Sequence, residues 1–206
     1  MKINRLRGDR IVGNSAHHPI ARNARMRPAT KITLAVVGCG VLVSLALWWL
    51  ADHRRGVAWA VSVVRERFPD VLQLSTSSLD AWLRDVQRTA PQLVDARSED
   101  EFLVSHLPGA RRIDPKSFTP AALSALDSRR PVVVYCSAGY RGSTLARLFQ
   151  HAGRRDVWNL EGGIFAWANS GLPLECAGQP VQRVHPYSRI FSRLLKPRKA
   201  PFLPAR

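Results

Sequence analysis

The run Val132-Val133-Val134-Tyr135 constrains the fold more than any other part of this sequence. Consecutive apolar, mostly β-branched residues favour an extended strand. A strand with no polar side to its alternation has to be covered on both faces, as a central strand of a parallel sheet is. Residues 71–74, 92–95, 110–113 and 156–160 read as four further strands. Helices are expected between them. Leu79, Trp82, Leu83 and Val86 share one helical face, with Ser77 and Asp80 resembling a capping box. Ser98 opens a short helix through Phe102, and Thr119-Pro120 opens one through Leu126, with Pro in its favoured first turn. Residues 143–151 form the next helix, stopped by Gly153. Residues 163–169 form the last, closed by Gly171-Leu172-Pro173. This alternation predicts an α/β domain around a mainly parallel sheet over residues 70–175.

The 206-residue chain has a net charge of +16, which taken alone suggests a nucleic-acid binder. The distribution argues otherwise. Residues 1–31 and 177–206 each contribute +7 and residues 52–68 +2, whereas residues 69–176 hold twelve basic and twelve acidic groups. No interleaved aromatic pattern or nucleic-acid motif accompanies the basic arms, so nucleic acid is not an expected partner. Between the basic N-terminal tail (1–31) and the domain lie twenty uncharged residues, 32–51, ITLAVVGCGVLVSLALWWLA. A helix of that length spans about 30 Å, the thickness of a bilayer's hydrocarbon core. Trp48 and Trp49 fall at one end, and Lys31 and Arg54/Arg55 bracket the stretch. A cleaved signal peptide has a shorter apolar region and ends at small residues, for which Ala58-Trp59-Ala60 is a weak match. The expectation is an uncleaved, single-pass transmembrane helix, with the basic arms against anionic headgroups of the membrane lipid. Within about 20 residues of the span, four Lys/Arg lie on each side, so these charges leave the side of the domain open. Val57, Val61 and Val64 form a helical stripe in a connector (52–69) that Phe68-Pro69 ends. The C-terminal tail (176–206) is Pro-rich and basic. In it, Ile190, Phe191, Leu194 and Leu195 fit either an amphipathic membrane-surface helix or a disordered tail.

Three cysteines without regular spacing make neither a disulfide framework nor a metal site, and no motif calls for a cofactor. Cys39 reads as a small apolar residue of the span. Cys136 differs. It ends the most apolar strand, where open α/β sheets place their ligand sites. The loop Ser137-Ala138-Gly139-Tyr140-Arg141-Gly142-Ser143 follows, and its small residues and glycines let backbone N–H groups turn inward as an anion nest. A helix starts directly afterwards, adding its positive end. Such surroundings favour a reactive thiolate over an ordinary buried thiol, and the Arg141 guanidinium suits an oxyanion.

The sequence resembles the rhodanese family over about residues 70–175. Leu93-Val94-Asp95-Ala96-Arg97, then Glu101-Phe102, His106 and Pro108-Gly109-Ala110, resemble its first signature. The Cys136 loop resembles its active site, and Leu160-Glu161-Gly162-Gly163 with Ala166-Trp167 its closing signature. Ser105 stands where the family often has Gly. The resemblance implies a five-stranded, mainly parallel sheet with helices on both faces. It implies a sulfurtransferase in which Cys136 takes a sulfane sulfur from thiosulfate or a related donor and passes it to a thiol or cyanide. In that reading the backbone of Ser137, Ala138, Gly139, Tyr140, Arg141 and Gly142 holds the thiolate or persulfide, and Arg141 binds the donor's oxyanion or shapes the loop. Asp95, Arg97 and Ser143 support the loop, while His106, Gly162, Gly163 and Trp167 are structural.

Three rivals accompany this reading. Related phosphatases have five residues between Cys and Arg; the four here suit a sulfur atom better than a tetrahedral phosphate. A non-enzymatic rhodanese-like module that binds a partner at the membrane is the alternative function, and Cys136 argues against it because such modules often lose the cysteine. Cys176 either resolves a persulfide or pairs with Cys136, or is an incidental linker residue.

Overall fold

The structure, a computed structural model, describes residues 36–44 and 52–197. Residues 36–44 are helical, and Val36, Val37, Val41, Leu42 and Val43 are exposed. The rest of the expected span, residues 32–35 and 45–51, lies outside the described residues, as do residues 1–31 and 198–206. Among the described residues no helix is long and apolar enough to cross a membrane.

From residue 52 the order is α1 (His53–Arg67), β1 (Leu72–Leu74), α2 (Thr76–Arg84), β2 (Gln92–Asp95), α3 (Glu99–Val104), β3 (Arg111–Arg112), two 3-10 turns (Pro115–Ser117 and Pro120–Ala125), β4 (Val132–Tyr135), α4 (Tyr140–His151), β5 (Val157–Leu160) and α5 (Gly163–Asn169). Strands β1 to β5 form one sheet in the order β1-β5-β4-β2-β3, and every neighbouring pair is parallel. The central position of β4 follows from its composition. All four of its residues have no exposed surface. Val133 and Tyr135 pack in one apolar cluster with Leu79, Trp82, Phe165 and Trp167; Val132, Val134 and Cys136 pack in the other with Leu145, Ala146 and Phe149. Each fully buried Val contributes about 1.5–3 kcal/mol. The helix after β4 thus covers one face of the sheet and the helix after β5 the other, and that divergence opens a crevice at the C-terminal ends of the strands.

Several boundaries differ from the sequence reading, each for a local reason. Helix α2 is capped by Ser75, which accepts from Ser78 N–H (3.1 Å), and not by Ser77; Asp80 instead pairs with Arg84 one turn on (3.0 Å). Helix α3 carries a full Ser98–Glu101 capping box and runs to Val104. The Thr119-Pro120 segment is a 3-10 turn without a side-chain cap. Helix α4 begins at Tyr140, three residues early, because Gly139 at φ +109° turns the chain directly into it.

The C-terminal segment is neither disordered nor a membrane-surface helix through residue 197. Leu174–Cys176 (β6) and Gln179–Val181 (β7) form an antiparallel hairpin, with Ala177 and Gly178 both at positive φ as its tight turn requires. Val184 and Leu195 are buried in the core, and Phe191 and Leu194 pack against it. Gly56 leaves room on α1 for Leu194. Asn169 binds Leu194 O (2.7 Å) and Lys196 N–H (2.9 Å). The apolar residues thus find a place on the domain, while Ile190 stays exposed.

Asp95 and Arg97 form a fully buried ion pair (2.7 Å), and Arg97 also donates to Ser105 O (2.6 Å). Burial works against the Arg97 charge, but Asp95 outweighs it and raises the guanidinium above its ordinary value. Asp95→Ala strands that buried cation. The loss is expected to be about 3–5 kcal/mol, measured as a shift in urea unfolding.

Candidate active site

The site is built where β4 ends. Cys136 is 2% exposed, and its Sγ accepts the Gly139 N–H at 3.1 Å. The first turn of the twelve-residue α4 begins one residue later, so the positive end of the helix lies beside the sulfur. The opposite sides of the loop's peptide groups are held by α5. Ile164 N–H donates to Cys136 O (2.8 Å) and Phe165 N–H to Ser137 O (3.1 Å). In a trans peptide the N–H points away from its own carbonyl, so the Ser137 and Ala138 N–H groups turn away from α5. Close approach requires Gly163, where a Cβ would collide with Cys136 O. Gly142 is equally constrained, since a Cβ there would strike Asn159 and the backbone of Tyr135.

The loop is clamped from α3 by Glu101. Its carboxylate receives both terminal nitrogens of Arg141 (2.7 and 2.8 Å), Ser137 Oγ (2.7 Å), and the N–H and Oγ of Ser98 (3.1 and 3.0 Å). Burial opposes the charge on Glu101, but the Arg141, Ser137 and Ser98 bonds outweigh it and hold the carboxyl at about 2. Burial likewise works against Arg141, and Glu101 reverses that, raising the guanidinium above its ordinary range. Arg141 also binds Ser137 Oγ (2.9 Å). Three of the five Arg141 N–H groups go to Glu101 and Ser137, so the guanidinium shapes the loop.

A family model for the rhodanese-like domain matches residues 77–170. A sulfurtransferase of Allochromatium vinosum is 34% identical over 104 residues, covering 50% of this chain and 94% of that protein. The chain belongs to the rhodanese family. The thiosulfate sulfurtransferase GlpE of Pseudomonas aeruginosa is 34% identical over 85 residues, covering 41% of this chain and 76% of GlpE. Among solved structures, a rhodanese-like domain protein of Staphylococcus aureus aligns at 25% identity and a TM-score of 0.45, covering 52% of this chain and all of that one.

Within this rhodanese, Gly139 is the loop residue whose N–H binds the Cys136 sulfur; Ser137 and Ala138 are buried beside it, while Tyr140 is half exposed and packs on Phe68. Ser143 ties the loop back, its N–H to Gly139 O (2.9 Å) and its Oγ to Gln73 (3.4 Å). Asp95 and Arg97 bond to each other, and Arg97 also donates to Ser105 O; among the described residues no side-chain hydrogen bond runs from either to residues 136–143, where the sequence led us to expect loop support. His106 is structural, stacked on Phe102 and bonded to its carbonyl. Cys176 is a free thiol on β6, 3.0 Å from Leu103 O. Glu101 had no assigned role in the sequence, although the Ser-x-x-Glu spacing marks its cap.

The linkage sign for Glu101 is that of a depressed carboxyl. Its stabilisation, about 3 kcal/mol, is present above the ordinary value of 4.5 and is lost as pH falls through about 2. Glu101→Gln is therefore expected to be less stable at neutral pH and to lose less on acidification across that window. Urea midpoints at a series of pH values check this.

Proposed function

We propose that this rhodanese is a membrane-anchored sulfurtransferase that carries sulfur on Cys136. The observation that carries the reading is the Cys136 sulfur itself, bonded by the Gly139 N–H and placed at the start of α4. The relatives support it: the Allochromatium protein is named a sulfurtransferase and the Pseudomonas GlpE a thiosulfate sulfurtransferase. In the first step the Cys136 thiolate attacks the sulfane sulfur of thiosulfate or a related donor. The donor's S–S bond breaks, sulfite leaves with its electron pair, and a Cys136 persulfide remains. In the second step a thiolate or cyanide attacks the outer sulfur, and the pair in the persulfide bond returns to Cys136. No oxidant and no separate base is consumed if the thiolate is already formed. The Glu101–Arg141 clamp serves this cycle by holding the loop in one shape while the sulfur changes from thiolate to persulfide.

Anchoring is the second part of the proposal. It rests on the twenty uncharged residues 32–51 and the basic residues on either side. Lipid contact through residues 32–51 and the basic arms then holds the domain near a membrane source or user of sulfur.

The test is thiocyanate formation from thiosulfate and cyanide by the full chain and by Cys136→Ser. The expected result is turnover by the wild type and a loss of at least about a thousandfold in the variant, the scale seen when a nucleophile is removed. Turnover that survives the substitution contradicts the reading. A folded wild type that is inactive with several donors points to a partner-binding module. In parallel, the full chain should sediment with membranes after an alkaline wash and a chain lacking residues 32–51 should not.

A further inference from the structure

Among the described residues, the Gly139 N–H is the one group that donates to the Cys136 sulfur. A hydrogen bond weakens steeply with distance and misalignment, so its strength depends on how the Gly139 backbone is held. Gly139 sits at φ +109°, where a side chain would strain it. It is held from outside the loop. Around the point where a Cβ on Gly139 would stand lie Asn159 Nδ2 (3.5 Å), Val64 Cγ2 (3.6 Å) and Gly162 N (3.7 Å). Three separate segments thus form a corner in which Gly139 rests: α1 through Val64, the end of β5 through Asn159, and the turn into α5 through Gly162.

Both side chains in this corner have little freedom. Val64 is buried and β-branched, so on a helix it favours a single rotamer. Contacts on either side of it fasten α1, which lies outside the residues that match the family. Val57 stands so close to Gly162 that a Cβ there would meet it. Arg65 pairs with Glu161 (2.6 Å), and Phe68 packs edge-on against Tyr140, with ring centroids 5.1 Å apart. Asn159 has no exposed surface. Its Nδ2 donates to Gln73 Oε1 (2.8 Å), and Gln73 Nε2 reaches Ser143 Oγ on α4 (3.4 Å). Its Oδ1 has no hydrogen-bond partner among the described residues, and it lies against Gly142 so closely that a Cβ there would collide with it. An unpaired acceptor in the interior costs stability, so its presence in a strand calls for a reason beyond packing.

We propose that Val64 and Asn159 are positioning residues for sulfur transfer: they fix the Gly139 backbone so that its N–H stays on the Cys136 sulfur throughout the cycle. The inference rests on the sulfurtransferase reading and deepens it. In the second step the acceptor attacks the outer sulfur, the S–S bond breaks, and its electron pair returns to Cys136 Sγ. Negative charge therefore develops on the atom that Gly139 faces. A donor already in place stabilises that charge without having to reorganise, and its bond to the charged sulfur is stronger than one to a neutral sulfur. Val64 and Asn159 act on this step through Gly139.

The test uses the full chain in detergent. The protein is loaded with thiosulfate, cleared of donor and mixed with cyanide, so that thiocyanate release reads the second step alone. Val64→Ala removes the Cγ2 methyl, and the rate should fall about tenfold, the scale of a weakened hydrogen bond to a charged group. Val64→Ile keeps that methyl and should restore most of the rate. Asn159→Val deletes the unpaired oxygen and suits a strand. Its urea midpoint should equal or exceed that of the wild type while its rate falls by a similar factor. With isotope-labelled glycine, the Gly139 amide proton should move upfield in Val64→Ala and Asn159→Val, as a weakened hydrogen bond requires. Wild-type rates in these two variants, an Asn159→Val rate that falls together with its urea midpoint, or an unmoved Gly139 resonance overturns the proposal. Discharge of a persulfide by the wild type then leaves the sulfurtransferase reading standing. A wild type that gains no persulfide brings down that reading, and this inference with it.

Discussion

The bidentate pair between Glu101 and Arg141 is the contact on which the site depends. It joins α3, which follows β2, to α4, which follows β4, across the crevice at the sheet's C-terminal end. The same carboxylate caps α3 through Ser98 and receives Ser137 Oγ from inside the loop. Removing it would therefore loosen a helix end, the loop and the guanidinium together. Bonds from so many donors hold this buried carboxyl well below the usual carboxylate range, and it in turn holds Arg141 in place.

On the other side of the loop the restraint is backbone to backbone. Helix α5 takes the carbonyls of Cys136 and Ser137, and Gly163 allows the approach. Helix α1 adds a third contact: Val57 and Val61 lie over Gly162 and Val64 lies near Gly139, while Arg65 pairs with Glu161 (2.6 Å). The segments on both sides of the family match, α1 and the C-terminal 3-10 turn Phe191–Leu194, are themselves in contact through Gly56 and Leu194. What the sequence presented as a connector and a tail is, through residue 197, part of the housing of the loop.

The parts of this arrangement that were legible in the sequence are those fixed locally. The Val132–Tyr135 run announces a strand covered on both faces, and a cysteine followed by small residues and glycines announces a loop that can close on a sulfur. The start of α4 was not legible, because Gly142 reads as a helix breaker. Its reason for being glycine is the proximity of Asn159 and the Tyr135 backbone, which only the folded sheet creates. The capping role of Glu101 is local, three residues from Ser98, but its second role needs Arg141, forty residues on, to arrive at the same carboxylate. The 177–197 segment, rich in Pro and charge, read as either a membrane-surface helix or a disordered tail. Its apolar stripe was visible, but that Phe191, Leu194 and Leu195, with Val184, pack on the domain's own core is set by the fold.

The central claim is that Cys136 holds the travelling sulfur. The most direct measurement is the intact mass of the protein after incubation with thiosulfate alone, followed by addition of cyanide. The account predicts a gain of one sulfur atom, located on Cys136, that disappears when cyanide is added. A protein that turns thiosulfate over without gaining that mass, or that gains it on Cys176 instead, would contradict the account.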